Sequence, residues 1–91
     1  MLKDNTKIKR SSLIPWRIIG GKTIILSTDR SVAQELNETA TWIWEKLGRE
    51  TSPAELATLL SGIFDIDEET SKNDVHEILT RFETEGLIEC Q

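Results

Sequence analysis

The chain has 91 residues, with 16 Asp/Glu against 11 Lys/Arg and a formal net charge of −5. That length fits one small domain, and the acidic balance disfavours a protein that grips nucleic acid by neutralising phosphates. One Cys and one His exclude an internal disulfide framework and a Cys/His zinc set.

Residues 1–12 have only Leu2 and Ile8 as apolar anchors, and are expected to be a flexible N-terminal arm or a weak first strand. The domain proper is expected over residues 13–91. Pro15 blocks a helix, and Trp16-Arg17-Ile18-Ile19 reads as a strand. Gly20-Gly21 supplies the positive φ that a two-residue hairpin turn requires. Residues 22–28 form the return strand, rich in β-branched side chains. After the polar turn Thr28-Asp29-Arg30-Ser31, residues 31–36 (Ser31, Val32, Ala33, Gln34, Glu35, Leu36) read as a third strand. Val32, Gln34 and Leu36 share one of its faces. The three strands make an antiparallel meander.

At Asn37 the apolar period changes from two to 3.6. Asn37 is a good N-cap, and Leu36, Ala40, Ile43, Trp44 and Leu47 form one stripe that Gly48 is expected to close in a left-handed cap. Ser52-Pro53-Ala54-Glu55 joins a capping box to Pro at the first helical position, and Leu56, Leu59, Leu60, Ile63 and Phe64 follow as the expected buried face. Residues 65–69 are read as an acidic connector without the mid-loop Gly of an EF-hand. The third helix is expected from near Ser71, its stripe being Val75, Ile78, Leu79 and Phe82. Gly86 ends it, and Leu87-Ile88 can pin the C-terminus. The fold class is therefore α+β, a three-stranded antiparallel sheet followed by three helices (βββααα), of winged helix-turn-helix type.

Chemistry of its own is poorly supported. His76 has no Cys or Ser nucleophile at a motif spacing, and Gly20-Gly21 lacks the Lys and Ser/Thr of a phosphate loop. No catalytic residue, metal or cofactor is expected. No apolar run approaches the ~20 residues of a membrane span, and the polar N-terminus lacks a secretory signal core, so the expected location is the cytoplasm without membrane contact. Charge is uneven: residues 1–30 sum to +5 and residues 31–91 to −10, which can steer a charged partner. Two binding roles remain. A winged-helix transcriptional regulator would set the third helix in a DNA groove, but that helix carries net negative charge. Alternatively, an extended peptide adds to the open edge of the sheet.

Several short motifs, in order, resemble the PqqD-like family, the stand-alone form of the recognition element for precursors of ribosomally made, modified peptides. They are Pro15-Trp16-Arg17, Leu36-Asn37-Glu38-Thr39-Ala40, Ile43-Trp44, Leu47-Gly48, Thr51 with Glu55-Leu56, Asp74-Val75 with Ile78-Leu79, and Gly86-Leu87-Ile88. The resemblance spans about residues 13–89. It implies a binding protein, not an enzyme, that takes the leader segment of a precursor peptide as an added strand and presents it to a modifying enzyme. That enzyme would be a radical SAM enzyme, or the protease or cyclase of a lasso-peptide type pathway. It further implies docking along Ser31 to Leu36, in a groove walled by the third helix. Val32, Gln34, Val75, Leu79 and Phe82 are the expected groove positions.

Overall fold

Three short strands that pair in chain order set the frame on which the helices pack. In the computed structural model, which describes residues 2–26 and 33–90, β2 (Trp16–Ile19), β3 (Lys22–Leu26) and β4 (Ala33–Glu35) form an antiparallel sheet in the order β2-β3-β4. Gly20 and Gly21 turn the β2–β3 hairpin at φ 60° and 81°, the left-handed values that favour glycine. Register puts Trp16 opposite Ile25 and Ile25 opposite Gln34. Side chains alternate across a sheet, so Trp16, Thr23, Ile25, Gln34 and Leu36 look to the helical side. Ile25 and Leu36 are buried there.

Helices α1 (Glu38–Lys46), α2 (Pro53–Phe64) and α3 (Glu68–Thr84) cover that side. The caps on α1 and α2 are as expected: the Asn37 side chain accepts from the Ala40 N–H at 2.8 Å, and Ser52 Oγ from that of Glu55 at 3.2 Å. The α1 stripe of Leu36, Ala40, Ile43, Trp44 and Leu47 is wholly inside. Trp44 anchors the core, edge-on to both Trp16 (6.1 Å between centroids) and Phe82 (5.6 Å).

Of the two readings of residues 1–12 the strand is the one observed, and three further expectations are corrected. Residues 8–10 of the N-terminal segment form β1 (Ile8–Arg10), which pairs antiparallel with β5 (Ile88–Cys90) as a second, two-stranded sheet. Ile8 and Leu2 are buried, and this packing is why the segment is a strand and not a loose arm. Gly48 does not take a left-handed cap. A Cβ there would meet the Arg10 guanidinium at 3.1 Å and the Glu45 carbonyl at 3.2 Å, so this glycine makes room. The guanidinium lies 4.6 Å over the Trp16 ring and donates through Nη1 to the Trp44 carbonyl at 3.0 Å. On α2, Leu56, Ala57 and Leu60 point inward whereas Leu59 and Ile63 are exposed. Finally, α3 starts a turn earlier than expected. Asp67 caps it, accepting from the Thr70 N–H at 2.7 Å, and Ser71 is instead buried against α2, donating to the Ala57 carbonyl at 2.6 Å.

Candidate functional site

Hydrogen-bond alternation decides which backbone groups of β4 are free. The Leu36 N–H donates to the Thr23 carbonyl at 2.9 Å, and the register pairs Gln34 with Ile25. Bonded pairs in an antiparallel ladder alternate with unbonded ones, so Gln34 and Leu36 face β3. Ala33 and Glu35 turn their N–H and C=O groups outward. Because β4 is an edge of its sheet, those groups form a short unpaired ladder.

Along that edge, on the helical side, runs α3. Ser71, Val75, Leu79 and Phe82 form its buried stripe. Asp74, Ile78, Arg81 and Glu85 recur at i, i+4, i+7 and i+11 as its flank toward β4. Where β4 passes into α1, Asp74, Glu77 and Ile78 face Asn37 and Thr39 across an open cavity of about 220 Å³. At the other end the two walls are tied together. Gln34 Nε2 donates to Glu85 Oε1 at 2.6 Å, and Arg81 Nη2 donates to Gln34 Oε1 at 2.7 Å. Arg81 Nε also lies 3.6 Å from Glu85 Oε2. The groove thus has a polar, self-paired end, an apolar middle at Ile78 and an acidic end.

The expected groove residues divide accordingly. Ala33, Gln34 and Glu35 lie on the β4 edge, while Leu36 is buried and its side chain belongs to the core. Ser31 and Val32 fall outside the described residues. Val75, Leu79 and Phe82 are 0% exposed and pack inward, with Phe82 against Trp44, so they support the groove wall from behind and do not form its surface. The residues overlooked, Asp74, Ile78 and Arg81, each precede one of the three. One residue is about 100° of helix, and that step separates core from groove.

On the outer face of the sheet, Lys22 Nζ pairs with Glu35 Oε1 at 2.8 Å, and this hydrogen bond and charge raise the lysine pKa. Glu35 therefore carries a partner of its own. Among the described residues no group of three or more His, Cys, Asp or Glu side chains is placed to hold a metal ion, and no helix is long and apolar enough to cross a membrane.

The described residues thus form a meander whose edge strand β4 is tied to α3 through Gln34. The profile of coenzyme PQQ synthesis protein D (PqqD) matches residues 22–88, and the chain belongs to that family. Its fold is that of the PqqD truncation of Methylobacterium extorquens PqqCD, a functional and stand-alone recognition element for ribosomally synthesised and post-translationally modified peptides. That likeness has a TM-score of 0.78 at 14% identity, over 98% of this chain and 95% of the other. Lasso peptide synthetase B1 complexed with the leader peptide is similar too, with a TM-score of 0.78 at 20% identity over 90% of this chain and 96% of that one. TbiB1 in complex with the TbiA(beta) leader peptide gives a TM-score of 0.75 at 20% identity, over 89% and 94%. No curated protein sequence matches the chain.

Proposed function

We propose that this protein binds the leader segment of a ribosomally made precursor peptide along the β4 edge and presents it to a separate modifying enzyme. The outward-facing backbone of Ala33 and Glu35 carries the reading, because it offers an incoming strand two donors and two acceptors beside a side-chain-lined groove. The ligand runs antiparallel to β4, extending a sheet whose existing pairs are antiparallel. Main-chain bonds fix its orientation, and α3, through Asp74, Ile78 and Arg81, reads its alternate side chains. Family membership and the leader-peptide complexes of lasso peptide synthetase B1 and of TbiB1 support the same role. The domain acts by holding substrate, and the chemistry belongs to its partner.

A DNA-binding role is disfavoured by charge. The exposed positions of α3 include Lys72 and Arg81 against Glu68, Glu69 and Glu77, with Asp74 and Glu85 beside them. Such a surface repels phosphates.

The test is an NMR titration of the isotopically labelled chain with leader segments of short precursor peptides encoded near its gene. Amide shifts should concentrate at Ala33 and Glu35 and along residues 74–85. A chain that ignores every such leader, or binds one with shifts confined to the opposite edge at β2, would overturn the proposal.

A further inference from the structure

The two ends of the groove treat charge differently. At the Gln34 end, Arg81 and Glu85 neutralise one another and are bridged by the Gln34 amide, so this end carries little net field. At the Asn37 end, Asp74 and Glu77 stand on adjacent turns of α3, and among the described residues neither forms an ion pair. Glu77 has a cation four residues on in Arg81, but that guanidinium is turned to Gln34 and Glu85. Two carboxylates thus line an open cavity of about 220 Å³, and among the described residues no cation pairs with them. The apolar Ile78 lies directly beside them.

Direction turns this into a statement about sequence. The Asn37 end is where β4 finishes, so a ligand antiparallel to β4 enters there with its N-terminal part. It then runs in the same direction as α3, meeting Asp74 and Glu77 first, Ile78 next and the Gln34–Arg81–Glu85 cluster last. Strand residues that face one wall are two apart. Resting on the strand-addition reading above, we infer that the peptide accepted by this protein carries a Lys or Arg two residues before an apolar side chain. The cation lies between Asp74 and Glu77, and the apolar residue covers Ile78. The net charge of −10 over residues 31–91 favours the encounter of such a cation with this side of the chain.

The probe is a displayed library of random twelve-residue linear peptides panned against the full chain, the best binders then being synthesised and titrated. Enriched sequences should share the basic-x-apolar pattern. The Asp74→Asn/Glu77→Gln double variant should bind them roughly 3- to 20-fold more weakly, as loss of two part-exposed ion pairs implies, and with a flatter salt dependence. The Asp74→Lys/Glu77→Lys variant should select acid-x-apolar sequences instead. Enriched peptides with no basic residue, or equal affinity for parent and double variant, would overturn the charge assignment. If those peptides still lose affinity on Ala33→Pro, strand addition survives that failure. If the library yields no binder, or binders indifferent to Ala33→Pro, strand addition and the charge assignment fall together.

Discussion

Two stripes of α3 lie one residue apart and serve opposite ends. Val75, Leu79 and Phe82 are sealed in the core, whereas Asp74 and Ile78 face Asn37 and Thr39 across an open cavity and Arg81 is bonded to Gln34 of β4. The first stripe determines that the helix stays where it is; the second determines what can lie beside it. The recognition surface proposed above would be stiff at its base and adjustable on top. A change in the outer stripe alters the ligand without repacking the core, because close packing is confined to the inner one.

The sharpest way to break the comparison is to exchange the effects of neighbouring residues. Leu79→Ala removes a fully buried side chain and should cost roughly 2–5 kcal/mol in urea or thermal unfolding. The fraction that remains folded should bind peptide with unchanged affinity. Ile78→Ala, one position away and half-buried, should cost about 1 kcal/mol of stability. Its effect belongs to binding, where loss of an apolar anchor should weaken affinity by about tenfold. A large stability loss at Ile78 with no binding loss would merge the two stripes into one core.

The two backbone faces of β4 offer a parallel contrast. Gln34→Pro removes a donor turned toward β3 and dismantles the link to Arg81 and Glu85, so it should destabilise the fold by about 1–3 kcal/mol. Ala33→Pro removes a donor turned outward. It should leave the melting temperature within a few degrees of the parent while weakening peptide binding. If both proline variants lowered stability equally, the assignment of inward and outward groups along β4 would be wrong.

How far the sequence could be read follows from the same geometry. In α1 the stripe of Leu36, Ala40, Ile43, Trp44 and Leu47 is legible although Trp42 adjoins it, because the N-cap at Asn37 fixes where the helix begins, and all five are buried. In α3, Ile78 and Leu79 are adjacent and Val75 and Phe82 suit either of them, so periodicity gives a helix but leaves its rotation open by one position. That ambiguity is why Val75, Leu79 and Phe82, all buried, were expected to face a ligand. The strand β1 has one apolar side chain among three residues, and its partner β5 lies at the far end of the chain, with Ile8 opposite Cys90. Local patterning carries no signal for so distant a pairing. The self-paired end of the groove was hidden for the same reason, since Gln34 and Glu85 meet only once the sheet and helix are packed.

The smallest effect concerns where α3 begins. Asp67 caps the helix through the Thr70 N–H, and the Thr70 hydrogen bonds hold its carboxyl below the ordinary Asp value. A group whose pKa is depressed on folding contributes stability above its unfolded pKa. That contribution is lost as pH falls through the lower, folded value. The charged cap also meets the positive end of the helix dipole, where an anion is favoured. Asp67→Asn keeps an oxygen acceptor but cannot ionise, so its cap does not titrate. Melting both proteins between pH 7 and pH 3 should therefore show the parent ahead near neutrality and the difference closing in acid. The titrations of all other carboxylates are common to the two proteins and cancel in that difference. Because the cap is exposed, salt should narrow the neutral-pH gap as well. A gap that stayed constant across the whole range would mean that the charge on Asp67 contributes nothing to the cap, and that the start of α3 is set by the burial of Ser71 against α2 instead.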